Sequence, residues 1–134
     1  MRQAIVDTDI LSEFLRGTPS VVAKAERYLS EHAVISMSVI TYYEILNGLL
    51  YKDTRRFLKR FEDFVAVNRV LPLTAEMAQE AAVIRADLRA KGLEIGHTDT
   101  LIAGTALSTG LQLITNNTAH FKRVKGLGID NWMA

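Results

Sequence analysis

The chain of 134 residues contains no cysteine, only two prolines and a single tryptophan. The absence of cysteine excludes a disulfide framework and a thiolate metal site, and it fits the reducing cytosol. Because 49% of the residues are hydrophobic and proline is scarce, disorder is not expected. No apolar run approaches the roughly 20 residues of a membrane helix, and the N-terminal run is too short for a signal peptide. The sequence therefore predicts a soluble, cytoplasmic protein that does not enter membranes.

The length predicts one domain that spans residues 1–134. A net charge of +1 says little about partners by itself. If Asp7, Asp9, Glu44 and Asp99 are sequestered in a site, however, the remaining surface is distinctly basic. A basic surface is what binding to a nucleic acid requires.

Three acidic residues stand in stretches that are otherwise free of charge. Asp7 ends an apolar run, Glu44 is the only charged residue of the segment 33–51, and Asp99 opens a stretch without Asp, Glu, Lys or Arg that lasts until Lys122. Burying a carboxylate is costly unless a cation or hydrogen bonds hold it. We therefore expect folding to gather these three carboxylates around a metal ion.

Short apolar segments alternate with helical patterns along the chain. The predicted strands are 3–6, 33–36, 69–73 and 111–115, with an edge strand near Ile129. The predicted helices are 10–16 with a stop at Gly17, 19–31, 39–50 with Ser38 as cap, 53–67, 74–91 with a stop at Gly92, 98–109 and 118–121. The helix 39–50 is apolar nearly all round, which predicts that it is buried.

This alternation predicts an α/β fold with a parallel sheet covered by helices on both faces. In such sheets, ligands bind beyond the carboxyl ends of the strands. Asp7 follows the first predicted strand and Asn116 and Asn117 follow the fourth. The sequence thus brings these side chains to one edge of the sheet.

Carboxylate oxygens suit hard divalent cations, which bind few protein groups and keep several waters. Three or four acids can hold one or two Mg²⁺ or Mn²⁺ ions. Such ions activate water, clamp a phosphate and stabilise the leaving oxygen. The acids therefore favour metal-dependent hydrolysis of a phosphodiester.

Four segments, 5–11, 38–44, 96–103 and 114–121, together resemble the PIN domain, and most of all the VapC toxins of bacterial toxin–antitoxin pairs. The resemblance covers essentially the whole chain, with the segments in order and at the usual separations. It implies a three-layer α/β/α fold with a mostly parallel five-stranded sheet. It also implies Mg²⁺- or Mn²⁺-dependent endoribonuclease activity, homodimerisation and inhibition by a small VapB-like antitoxin.

By this resemblance, Asp7, Glu44 and Asp99 match the first three acidic positions of the family and are the predicted metal ligands. The fourth position is often aspartate, but Asn117, or alternatively Asn116, occupies it here, which leaves open whether one or two metals bind. Asn117 is predicted to take part in catalysis by contacting a metal-bound water. Asp9 stands where the family often has asparagine. Supporting roles are predicted for Thr8, Asp9, Thr115 and Asn116.

Simpler interpretations stay open for several of these residues. Asp7 and Asp99 are also expected near helix N-termini, where acids cap the first turn. Glu44 is interpretable as a buried acid bonded to Ser36, Ser38 or a tyrosine hydroxyl. The three histidines, His32, His97 and His120, form no cluster in sequence, and each is interpreted as structural or exposed.

Basic residues on two predicted helices are candidates for contacts with RNA phosphates. These candidates are Lys52, Arg55, Arg56, Lys59, Arg85 and Arg89. The alternative for the first group is a solvated helix face, in which Lys59 pairs with Asp63 one turn later.

Three other functions compete with a nuclease. A haloacid-dehalogenase-like phosphatase fits Asp7 and Asp9, but it needs a late acidic pair, and only Asp130 follows Thr115. A response-regulator receiver needs a phospho-accepting aspartate after the third strand, where residues 71–74 offer no acid. A degenerate PIN-like domain that binds RNA or a partner without cleavage is compatible with the missing fourth acid.

Overall fold

Five short parallel strands form the centre of the protein. The computed structural model describes residues 1–51 and 54–134. The strands are β1 (Ala4–Val6), β2 (Ser36–Ser38), β3 (Arg69–Leu71), β4 (Gln112–Ile114) and β5 (Ile129–Asp130), in the order β3-β2-β1-β4-β5. Every pairing between neighbouring strands is parallel. The predicted five-stranded sheet is confirmed, and it is parallel throughout.

Helices connect the strands and cover both faces of the sheet. They are α1 (Thr8–Arg16), α2 (Pro19–Glu31), α3 (Val39–Tyr51), α4 (Arg55–Val67), α5 (Ala75–Ala90), α6 (His97–Thr109) and α7 (Thr118–Phe121). Alternate residues of β1 point to opposite faces, as the pleat requires. Ala4 and Val6 join the core beneath α1 to α4, whereas Ile5 joins the core beneath α5 and α6. The structure therefore has the expected three layers.

The boundaries of β2 differ from the prediction. The sequence predicted a strand at 33–36, but β2 is Ser36–Ser38. Ile35 donates its backbone N–H to the side chain of Asn68 at 2.8 Å rather than to a neighbouring strand. Both serines of β2 are buried. Polar residues in the interior of the sheet concealed the strand from a reading based on hydropathy.

The prediction that α3 is buried throughout is wrong. Thr41 and Ile45 are its fully buried residues, whereas Tyr43 keeps 64% and Tyr51 keeps 89% of its surface exposed. The helix therefore packs by one face although its sequence is apolar all round. The predicted cap is confirmed, because the Ser38 hydroxyl accepts the backbone N–H of Ile40 at 2.9 Å.

Two glycines fix the helices that carry the acidic residues. Gly17 ends α1 as predicted, and its backbone φ of 82° is one that residues other than glycine rarely adopt. At Gly104 in α6, a Cβ would lie 2.6 Å from the carbonyl oxygen of Met77 in α5. The close packing of α5 on α6 therefore requires glycine there, and it fixes the helix that carries Asp99.

The amphipathic helix predicted at 53–67 is confirmed as α4 from Arg55, and Asp53 lies outside the described residues. Phe61 and Phe64 are its buried face. Within residues 1–51 and 54–134, no helix is both long enough and apolar enough to cross a membrane.

Candidate metal centre

The centre of the candidate site is the point where β1 and β4 end side by side. Val6 pairs with Ile114, so Asp7 and Thr115 follow on neighbouring strands. The Thr115 hydroxyl donates to Asp7 Oδ2 at 2.7 Å, and the backbone N–H of Thr8 donates to Asp7 Oδ1 at 2.8 Å. Asp7 keeps only 5% of its surface exposed. The protein thus orients both oxygens of a buried carboxylate.

The bond from Thr8 also makes Asp7 the N-cap of α1. The capping interpretation of Asp7 is therefore confirmed, but it does not exclude a metal. Each oxygen accepts one hydrogen bond in this structure, and a carboxylate offers about four lone-pair positions. Capacity for a cation remains.

The pKa of Asp7 is raised to about 7, first by burial and second by the neighbouring charge of Asp9. The hydrogen bonds from Thr115 and Thr8 lower the pKa, and the charge of Asp99 raises it again. The net shift means that the protein alone stabilises the ionised form of Asp7 poorly. A carboxylate in this condition gains most from a cation.

Glu44 reaches the same region from α3. The Thr8 hydroxyl donates to Glu44 Oε1 at 2.6 Å and lies 3.1 Å from the hydroxyl of Thr41. The partner of Glu44 is thus Thr8, not the serines or tyrosines considered from the sequence. Thr8 contacts Asp7 through its backbone and Glu44 through its side chain, so it fixes the two acids relative to each other.

Asp99 lies in the first turn of α6, next to His120, which the sequence had indicated as structural or exposed rather than as part of the site. His120 Nδ1 is 3.9 Å from Asp99 Oδ2 and 2.9 Å from Asn117 Nδ2. Burial raises the pKa of Asp99, the charge of Glu44 raises it further, and His120 lowers it. His120 therefore connects the third acidic position with Asn117. The spacing of His120 three residues after Asn117, one helical turn, was the available signal.

Asp9 is also drawn into this region. Burial raises its pKa, while hydrogen bonds from backbone N–H groups, including that of Ile10, lower it. Asp7, Asp9, Glu44 and Asp99 influence one another electrostatically, and we refer to these four residues as the acidic site.

The donor chemistry of the acidic site fits a hard cation such as Mg²⁺, which prefers carboxylate and water oxygens. Within the described part of the chain, however, no three acidic or histidine side chains converge into a ready-made ligand cage. Mg²⁺ is commonly held by one or two carboxylates with waters between the ion and other groups. Direct ligation by Asp7, Glu44 and Asp99 together therefore stays a prediction.

The basic candidates do not lie on one surface. Arg55, Arg56 and Lys59 are exposed on α4, whose buried residues join the core of one sheet face, whereas Arg89 is exposed on α5, which packs on the other. Lys52 lies outside the described residues.

Individual contacts also separate the basic candidates. Lys59 pairs with Asp63 at 2.9 Å, as the alternative interpretation predicted. The Arg56 guanidinium lies 4.7 Å from the ring centre of Phe57. Arg85 donates to the carbonyl oxygen of Ile95 at 2.7 Å and so holds the loop before α6. Of these side chains, Arg56 and Arg89 are the better placed to meet an external phosphate.

Comparison with known proteins agrees with this architecture. The family model described as PIN domain matches residues 4–127. The tRNA(fMet)-specific endonuclease VapC of Shigella flexneri is 34% identical over 133 residues, covering 98% of this chain and 99% of that protein. Ribonuclease VapC2 of Rickettsia felis is 27% identical, covering 96% of each chain.

Solved structures give the same result. A DNA-bound VapBC from Salmonella typhimurium superposes with a TM-score of 0.87 at 31% identity, covering 98% of this chain and 99% of that one. VapBC2 from Rickettsia felis, bound to a DNA fragment from its promoter, gives a TM-score of 0.86 at 26% identity and covers 96% and 98%. The protein is therefore a three-layer α/β domain with an acidic site at the carboxyl edge of a parallel sheet. The chain belongs to the PIN-domain family, among the VapC ribonucleases.

Proposed function

We propose that the protein is a metal-dependent endoribonuclease that acts as the toxin of a VapBC-type pair, with residues 1–134 working as one domain. The observation that carries this proposal is Asp7. Its carboxylate is buried, held at both oxygens by Thr8 and Thr115, and has a pKa raised to about 7. Carboxylates with strongly raised pKa values cluster at functional sites, and this one stands beside three further acids.

Asp7, Glu44 and Asp99 are the residues that would hold Mg²⁺, or Mn²⁺ in its place. When bound, such an ion supplies Lewis acidity, which activates water and neutralises charge on the phosphate. Asn117 brings no charge to the fourth position, so the negative charge of the acidic site is compatible with either one or two ions.

The remaining residues would orient these groups. Thr115 and Thr8 fix the carboxylates of Asp7 and Glu44 by hydrogen bonds of 2.7 and 2.6 Å. Asn117 has its amide nitrogen engaged by His120, which leaves its amide oxygen to orient a water. Asp7 must be ionised to act as a ligand, and a pKa of about 7 means that it is partly protonated at neutral pH without a cation.

RNA is the proposed substrate, and the cytoplasm is the proposed location. The Shigella flexneri relative is named as an endonuclease specific for tRNA(fMet), so initiator tRNA is the first substrate to test. Single-stranded RNA loops expose the backbone that a cleft at the edge of the sheet can reach. The shape of the protein surface decides which RNA is bound, and the basic residues are candidates for contacts with its phosphates.

We also propose a cognate VapB-like antitoxin, since the solved neighbours are VapBC complexes. A homodimer is proposed because the resemblance to the VapC toxins implies one. A groove of about 240 Å³ runs beside the acidic site, with Glu44 in its wall and Leu15, Ile45 and Leu49 among its apolar residues. An apolar segment carrying an Arg or Lys that reaches the carboxylates would fit this groove. Tyr43 and Tyr51 are further exposed surface for a second subunit.

Expression in a host tests the proposal. Induction of the wild-type chain should arrest growth and cleave RNA, and co-expression of the antitoxin should restore growth. The Asp99→Asn variant should neither arrest growth nor cleave RNA, because it removes one charge from the acidic site. Equal growth inhibition by both chains would argue against nuclease toxicity.

A second candidate is a PIN-like domain that binds RNA or a protein partner without cutting. The neutral Asn117 at the fourth position, bonded to His120, is the observation that favours it. Incubating the purified protein with RNA, with Mg²⁺ or with EDTA, separates the two. Binding without any metal-dependent cleavage would favour this second candidate.

A further inference from the structure

The loop between β4 and α7 carries Asn116 and Asn117, and an acidic residue from the other end of the chain holds it in place. Asp9 Oδ2 accepts the backbone N–H of Asn116 at 3.0 Å. Asp9 Oδ1 accepts the backbone N–H of Ile10 at 2.7 Å. Both oxygens of Asp9 are thus acceptors from main-chain donors, one in α1 and one in the loop.

Two further contacts tie the same loop. The Thr115 hydroxyl accepts the backbone N–H of Asn117 at 3.0 Å while it donates to Asp7. The side chain of Asn131 donates to Asn116 Oδ1 at 3.0 Å. The position of Asn117 relative to Asp7 therefore depends on a small set of hydrogen bonds, and Asp9 supplies a carboxylate acceptor that binds the loop directly.

We infer that Asp9 is a positioning residue: it fastens this loop to α1 and thereby sets Thr115 and Asn117 against Asp7. The inference rests on the proposed function, and it assigns Asp9 no direct contact with the reacting phosphate.

The geometry further requires a carboxylate at this position. An asparagine has one acceptor oxygen, and its amide nitrogen would face either the N–H of Ile10 or that of Asn116. Two donors facing each other cannot form a hydrogen bond. Although related proteins often have asparagine where Asp9 stands, Asp9→Asn should therefore loosen the loop in this chain.

Steady-state kinetics on RNA with saturating Mg²⁺ test the inference. We expect Asp9→Asn to lower kcat about tenfold, with KM changed by less than about twofold, because a small misplacement acts on the transition state. Asp87→Asn, the same change at an exposed aspartate on α5 that pairs with Lys91, is the matched control and should leave both constants unchanged. A shift in the Mg²⁺ midpoint with full kcat at saturating metal would overturn positioning and indicate ligation instead.

Amide hydrogen exchange gives a readout that does not depend on activity. The full chain carrying Asp99→Asn is used so that expression is tolerated. Although residue 116 is exposed, its backbone N–H should exchange slowly, and adding Asp9→Asn should accelerate it about tenfold while the amide of Leu113 stays protected. If Asp9→Asn does not fold, slow exchange at Asn116 in the parent still tests the bond, and rapid exchange there would refute it.

The two hypotheses fail in different ways. Absence of metal-dependent cleavage by the wild-type chain would contradict the proposed function and leave the loop measurement intact. An inactive Asp99→Asn parent, together with wild-type kcat and unchanged Asn116 exchange in Asp9→Asn, would contradict the positioning role alone.

Discussion

Asp7 and Asp99 belong to the same acidic site but are held in different ways. Asp7 follows a central strand, is almost fully buried and has both oxygens bonded by Thr8 and Thr115. Asp99 stands on a helix with 27% of its side chain exposed and has His120 at 3.9 Å. One carboxylate is fixed by hydrogen bonds at the end of the sheet, whereas the other is partly solvated beside a histidine whose Nδ1 also lies 2.9 Å from Asn117 Nδ2.

The difference indicates a division of labour within the site. The sheet supplies a rigid carboxylate at a high cost in desolvation, and the helix supplies a more solvated carboxylate at a lower cost. Removing the charge of Asp7 should therefore affect stability and activity together, while removing the charge of Asp99 should affect mainly activity.

The largest expected effect is on cleavage. Asp7→Asn, Glu44→Gln and Asp99→Asn should each lower the rate of RNA cleavage at least about 100-fold, because each removes a proposed ligand. Circular dichroism should show that all three variants fold. Wild-type folding with retained cleavage in any two of them would eliminate the proposed metal site.

The next effect separates the two aspartates by pH. The folded state of Asp7 binds a proton more tightly than the unfolded chain, since its pKa rises from 3.8 to about 7. In EDTA, the free energy of unfolding should therefore fall as pH increases from about 4 to 7. The shift corresponds to at most about 4 kcal/mol.

Asp7→Asn should remove most of this pH dependence, because asparagine still caps α1 and carries no charge. The variant should be more stable than wild type at pH 8 and similar at pH 3, as measured by urea unfolding. A smaller slope should persist, since the pKa values of Asp9 and Asp99 are also raised. Asp99→Asn should retain most of the wild-type dependence of the free energy of unfolding on pH. The same pH dependence in both variants would contradict the proposed difference between Asp7 and Asp99.

Much of this fold followed from the sequence because hydropathy reports which surfaces are buried. Alternating apolar segments placed the strands, and Gly17 and Thr74 marked a helix end and a helix start. Hydropathy could not locate β2, whose serines are buried, or reveal that Tyr43 on an apolar helix faces outward. Burial of these residues is decided by packing across the sheet, not by the local sequence.

The candidate site shows a similar limit. The acids were recognisable because each stands in an uncharged stretch. Thr8 and Thr115 were predicted as supporting residues, but the contacts of Thr41 and His120 were not visible. Thr41 lies 33 residues from Thr8 along the chain, and His120 resembles any helical histidine. Side-chain hydrogen bonds between distant residues leave no periodic signal in one sequence.

Asn117 tests the part of the acidic site that contains Asp99 and His120. Asn117→Asp should lower the Mg²⁺ concentration at half-maximal cleavage by about tenfold, because it adds a charge beside Asp99 and His120. Asn117→Ala should lower activity at limiting metal and recover partly at high metal. Metal titrations of the cleavage rate on the three proteins decide between these outcomes. Superimposable titration curves would mean that Asn117 is only a turn residue.

The smallest effects should come from the basic residues, and they test whether RNA approaches the face with α4 or the face with α5. Arg56→Ala and Arg89→Ala each remove one candidate phosphate contact. The variant on the correct face should raise KM roughly three- to fivefold and reduce the salt dependence of binding by about one counterion, while the other variant should behave as wild type.

Arg85→Ala is the informative third variant for this test. Its guanidinium already donates to the carbonyl oxygen of Ile95, in the loop that leads to Asp99. We expect it to lower kcat or stability rather than to change the salt dependence of RNA binding, because its contact is internal. If Arg85→Ala reduced the salt dependence of RNA binding as much as Arg89→Ala, both side chains would contact RNA phosphates. The RNA backbone would then run along α5 toward Asp99.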